Sequence, residues 1–184
     1  MNIYLKSFIF LIVFSILHFG YDLTGWAFLV PFCGTNESVF QHLKMAFWAY
    51  LLLTVAIEYP FVRKKAEKAQ DDKNNCGLSG FWYSRLLSVI ILPWFIVIIW
   101  YLLPALYGKV ELVWVDLVWA IAITYLSSLL AGYIEKDIEK VKFGLATRYV
   151  IMFLVFVSAL LFIWFTYRLP WIDLFTVTKL CPKL

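Results

Sequence analysis

The sequence predicts an all-α polytopic membrane protein: a bundle of five transmembrane helices, N-terminus cytoplasmic and C-terminus extracytoplasmic. Three observations predict it. The 184 residues are 64% hydrophobic, 20% aromatic and 15% charged, where soluble domains average roughly 45–50% apolar and about 25% charged. Five separate segments are each long and apolar enough to cross a bilayer. Lys and Arg gather in alternate connections between them. A mean hydropathy of +0.84 excludes a water-soluble globule, and with it disorder, a coiled coil and a disulfide-dense secreted scaffold.

A hydrocarbon core of about 30 Å takes roughly 20 residues at 1.5 Å each. The spans cover about 4–23, 37–57, 86–107, 113–134 and 149–167, in one domain of residues 1–184. The first starts like a signal peptide, with Lys6 and an apolar run from Ser7 to Leu17. It continues into His18-Phe19-Gly20-Tyr21-Asp22 with no small-residue cleavage site, so it reads as a retained helix. Pro93 predicts a kink in the third span, because it removes a backbone donor.

Orientation follows from the basic residues. Arg63, Lys64, Lys65, Lys68, Lys73 and Arg85 lie between spans two and three. Lys136, Lys140, Lys142 and Arg148 lie between spans four and five, and Lys6 is on the same side. The opposite side holds only Lys44, Lys109, Arg168, Lys179 and Lys183. The rich side is cytoplasmic by the positive-inside rule. The formal charge of +4 thus tracks topology, and no nucleic-acid partner is expected. Residues 61–84, with Glu67, Asp71 and Asp72 among the bases, read as a solvated cytoplasmic linker. Trp82 and Tyr83 mark the inner interface; Trp26, Trp114 and Trp171 mark the outer one.

Ionisable groups at membrane depth cost about 2.5–3.5 kcal/mol each on insertion scales, so each needs a reason. His18 and Asp22 end the first span, Glu37, His42 and Lys44 begin the second, and Asp116 begins the fourth. All fall in the outer leaflet. His18 and Asp22 are four apart and share a helix face, as do Ser38 and His42. Glu37 and His42 are five apart, about 140° round a helix, so Glu37 joins only from a freer first turn. Asp116 leads a row of small and polar residues, Ala120, Thr124, Ser128 and Gly132, which turns it toward neighbouring helices. Glu58, Arg85 and Glu135 are assigned to the inner interface.

Two chemistries fit the outer set. Neutral imidazoles with carboxylates suit Zn²⁺ or another divalent metal: His18, Asp22 and His42 as ligands, with Glu37 or Asp116 as catalytic base. His with Asp or Glu also makes an acid/base pair without metal. A third reading is structural, with the same residues as satisfied hydrogen bonds between helices. Asn36-Glu37-Ser38 matches a glycosylation sequon, but its place at a helix start favours capping by Thr35 or Asn36. Of the three cysteines, Cys33 and Cys181 fall outside and Cys76 inside, which allows a Cys33–Cys181 bridge.

His18-Phe19-x-Tyr21-Asp22, followed by Asn36-Glu37-Ser38-Val39-Phe40-Gln41-His42-Leu43-Lys44, resembles a family of small prokaryotic integral membrane proteins of unknown function. Its hallmark is similar to NESVWEHLK. Gln41 stands where that family's pattern has an acid, and the tail keeps only Asp173 and Phe175 of its acidic ending. The resemblance implies that His18, Asp22, Asn36, Glu37, Ser38, His42 and Lys44 act as one unit in a prokaryotic plasma membrane. Asn36, Ser38 and Lys44 are its supporting polar residues. The expected function is metal-assisted hydrolysis of a membrane-embedded substrate at an outer-leaflet pocket. The alternatives are an accessory or ligand-binding subunit that meets membrane lipid and a partner subunit, and a small transporter. No ionisable residue at mid-span depth favours the last.

Overall fold

A computed structural model describes residues 1–68, 75–108 and 112–170. All regular structure in them is helical. Helix α1 spans Ile3–Thr24, α2 Val39–Leu52, α3 Tyr59–Lys68, α4 Asn75–Tyr107, α5 Val113–Ile138 and α6 Leu145–Tyr167. A π-helical segment, Leu53–Glu58, joins α2 to α3 without a break. Five stretches are long and apolar enough to cross a membrane: Ile3–Thr24, Val39–Lys64, Gly80–Leu102, Trp114–Ile138 and Leu145–Tyr167.

These match the five expected segments, and the differences lie at their ends. Residues 61–84 are not one open linker, because α3 runs to Lys68 and α4 begins at Asn75. Helix α4 also passes Pro93 as one continuous element. Helix α2 begins two residues later than the sequence suggests, at Val39. Ser38 is its cap: the hydroxyl accepts a hydrogen bond from the Gln41 N–H, at 3.4 Å. Asn36 does not cap the helix; its Oδ1 accepts from the Ser38 N–H at 3.0 Å and shapes the turn before it. Glu37 therefore sits in the approach to α2 rather than on its surface.

Helices α1, α2, α4 and α5 close a ring, each packed on its two neighbours, and α6 lies outside against α4. Rings from α6 also reach α2, with Phe162 5.2 Å from Phe47. The inward stripes run in steps of four: Lys6, Phe10, Phe14 and His18 on α1, and His42, Ala46, Tyr50, Thr54 and Glu58 on the second span. Steps of four on an α-helix drift by about 40° each. A π turn rotates less per residue, and this one keeps Thr54 and Glu58 buried. Pro60 supplies a reason for it, since it cannot donate to the Ala56 carbonyl four residues back.

The connection from α1 to α2 decides where the site lies. Gly25 takes φ 66°, and its N–H closes α1 on the Tyr21 carbonyl at 2.8 Å. After a short 3-10 turn at Ala27–Leu29, the chain comes back: the Gly34 N–H donates to Leu17 O at 3.1 Å. A Cβ at Gly34 would meet Met45 Sδ at 2.9 Å, so a larger residue here would displace the end of the Met45 side chain. The returning strand of chain delivers residues 35–38 between the ends of α1 and α2.

Candidate functional site

His18, Glu37 and His42 converge at this end of the bundle. Their ligand atoms all lie within 4.8 Å of one another. His18 Nε2 is 3.5 Å from Glu37 Oε1, and His42 Nε2 is 3.6 Å from Glu37 Oε2. Donors at zinc distances of about 2.0–2.1 Å stand roughly 3.3 Å apart in a tetrahedron. The two His–Glu separations are already close to that.

The imidazoles are held from behind. His42 Nδ1 lies 2.9 Å from the Ser38 carbonyl, the partner of an Nδ1–H donor, which leaves Nε2 free to face Glu37. The His18 ring stacks on Phe14 at 6.4 Å and 8°, and meets Phe19 edge-on at 4.7 Å. Both histidines are partly buried, whereas the Glu37 side chain is 68% exposed. The cluster is thus walled on the bundle side and open outward.

The other expected site residues fall differently. Asp116 is partly buried at the start of α5 and acts electrostatically on His42. Asp22, read from the sequence as a ligand, is exposed and stands outside the three-residue cluster. Glu37, read as a base, is the carboxylate that meets both histidines instead. Lys44 is fully buried on another face of α2. Its ammonium donates to the Val30 carbonyl at 2.8 Å and to Thr166 Oγ1 at 3.4 Å, which ties the loop and α6 to α2.

Cys33, close to Lys44, is buried with a free thiol. Its expected partner Cys181 lies outside the described residues, as do Trp171, Asp173 and Phe175. Burial pushes the Cys33 thiol above its ordinary value, and the Lys44 charge opposes this only in part. A raised value means less thiolate at a given pH, and only thiolate alkylates. Native Cys33 is therefore expected to react with iodoacetamide more slowly than the unfolded chain at the same mildly alkaline pH. Equal rates would contradict that burial.

A second polar group, not anticipated, occupies the opposite end of the bundle. Glu58, Arg85 and Glu135, assigned from sequence to the interface, are buried inside the ring with Lys6. Lys6 bridges Glu58, at 2.7 Å, and Glu135. Arg85 holds Glu58 at 2.9 Å and Glu139 at 2.5 Å, and its guanidinium lies over Phe81 at 4.3 Å. The steps of four on the second span end at Glu58, and that pattern was the available signal. Phe10 and Phe14 fill the bundle between the two polar ends, and Phe10 packs edge-on against Tyr50 at 5.4 Å.

A helical bundle with five membrane-length helices and a two-histidine, one-carboxylate cluster at one end defines the class of protein. A family model described as "Family of unknown function (DUF6512)" matches residues 2–180, and the chain belongs to that family. No curated protein and no solved structure matches it.

Proposed function

We propose that this chain is a multi-pass protein of a prokaryotic plasma membrane, with its N-terminus cytoplasmic and a divalent-metal centre on His18, Glu37 and His42 at the extracytoplasmic end. The observation that carries the reading is convergence. The chain has 2 histidines; they come from different helices, and both meet the same carboxylate. The hallmark segment around residues 36–44 supplies two of the three ligands. The excess of Lys and Arg at the Lys6 end supports the orientation.

The activity proposed is metal-assisted hydrolysis of a membrane-embedded substrate. Three protein ligands with an open side are the pattern of catalytic zinc sites, whereas structural ones use four. A zinc ion held by His18, Glu37 and His42 would supply a bound water of lowered pKa, about 7 in catalytic zinc sites. Of this chain's own groups, the Ser38 carbonyl would hold the His42 imidazole in one tautomer, Glu37 would balance charge, and Asp116, which acts electrostatically on His42, would accept the proton. Phe10 and Phe14, filling the bundle below, speak against an open aqueous pore.

A non-catalytic reading has one observation in its favour: Glu37 already bridges the two imidazoles and could serve as a clasp between α1 and α2. Calorimetric titration with Zn²⁺ separates the two. The metal reading predicts one-to-one binding that weakens on acidification from about pH 7.5 to about pH 5.5, because ligand binding to a metal competes with protons. Asp116→Asn should keep that binding and lose turnover. Absence of binding at either pH, with a lower melting temperature in His42→Ala, would favour the clasp.

A further inference from the structure

The histidine end of the bundle carries apolar surface that the fold does not use. Phe8, Ile12, Ile16, Phe19 and Leu23 are exposed and follow one face of α1 in steps of three and four. Phe19 meets the His18 ring edge-on at 4.7 Å, so this stripe passes directly beside the cluster. Beyond Thr24, where the first membrane-length stretch ends, Trp26 and Phe28 are exposed and stack on each other at 5.4 Å and 29°. Exposed apolar surface that borders a polar site marks a place for an apolar ligand or a lipid.

Depth and charge narrow what lies there. His18 is six residues before Thr24, about 9 Å inside that end at 1.5 Å per residue. His42 and Asp116 follow the starts of their stretches, Val39 and Trp114, by three and two residues, about 5 and 3 Å. In a membrane-spanning chain this is the boundary between acyl chains and headgroups, the level of lipid ester linkages. Three carboxylates gather at that level: Glu37 in the cluster, Asp116 acting on His42, and Asp22 exposed one turn beyond His18. No Lys or Arg lies between Asp22 and Ser38. Lys44 is buried and held by the Val30 carbonyl and Thr166, and Arg168 ends α6, which packs on α4. One divalent ion does not offset three carboxylates, so a phosphate anion meets repulsion here with no Arg or Lys to clamp it. The carbonyl of a carboxylic ester carries no charge and meets none.

We propose that the substrate of this centre is an uncharged acylglycerol lipid, cut at a carboxylic ester. Its acyl chain lies along Phe8, Ile12, Ile16 and Phe19, and its glycerol end beside the Trp26–Phe28 stack. The inference rests on the metal-assisted hydrolysis proposed above and names the substrate class for it. Water adds to the ester carbonyl carbon, and the bond from that carbon to the alkoxy oxygen breaks. The proton given up by the water passes to the departing oxygen, so the products are a fatty acid and an alcohol.

Fatty-acid release from dioleoylglycerol in detergent mixed micelles tests this, with the zinc content of the same full-length preparation measured alongside. Water-soluble triacetin and bis(p-nitrophenyl) phosphate are offered in parallel. Oleate should be released, with kcat/KM on the order of a hundredfold above that for triacetin, since binding of the acyl chain supports the reaction. The phosphodiester should not be cut. Trp26→Ala/Phe28→Ala, at two exposed positions, should keep its zinc and raise KM for dioleoylglycerol on the order of tenfold, with kcat little changed. Zinc retained without oleate release, or with the phosphodiester cut faster than the ester, would overturn the ester assignment and leave the metal centre standing. Equal kcat/KM for triacetin and dioleoylglycerol, or an unchanged KM in the double variant, would overturn the lipid seat. A preparation that binds no zinc would overturn the metal reading, and this inference with it.

Discussion

Glu37→Gln should lower zinc affinity by on the order of a hundredfold or more, and Asp22→Asn should leave it nearly unchanged. Loss of an outer partner of a metal ligand already costs roughly 10–100-fold, and Glu37 is placed as a ligand. Its two oxygens face two different imidazoles at 3.5 and 3.6 Å. An amide keeps the shape but loses the charge that balances a divalent ion. Asp22 is exposed on the last turn of α1, outside the cluster. The comparison is informative because the sequence alone ranks the two carboxylates the other way. Zinc titration of both variants checks it, and a larger loss in Asp22→Asn would return the ligand role to that residue.

Arg85→Ala should destabilise the bundle by about 3–5 kcal/mol, seen as a melting temperature lower by on the order of 10 °C in detergent. The substitution strands Glu58, which is 1% exposed, with Lys6 as its remaining partner, and frees Glu139. Removing opposite charges together costs less than leaving one unpaired. Lys6→Met/Glu135→Leu should therefore be milder than Lys6→Met alone. A melting temperature for Arg85→Ala equal to that of the unaltered chain would show that the network contributes little.

Much of this architecture is legible in the sequence, for a physical reason. Spanning segments are set by length and hydropathy, which are local properties, and all five emerge, with ends that differ by up to seven residues. The histidine end is legible because His18, His42 and Asp116 all stand near span ends. Which acid completes the trio is not, since it depends on where α2 starts. Ser38 rather than a residue before it caps the helix, and two residues of shift move Glu37 from the side of a helix to the turn between two. Gly34 then returns that turn to α1 through a contact with Leu17 that no local pattern encodes. The Lys6 end was hidden differently. Glu58, Arg85 and Glu135 lie near span ends, where an exposed charge is ordinary, and their burial depends on the π segment and on how four helices close. The local hints were the steps of four that end at Glu58 and the proline at position 60.

The metal centre is the central claim, and elemental analysis tests it most directly. The detergent-purified protein, washed free of loose metal, would be measured beside His18→Ala/His42→Ala. About one equivalent of zinc or another divalent transition metal is expected in the unaltered chain and none in the double variant. No metal in either, or the same amount in both, would contradict it.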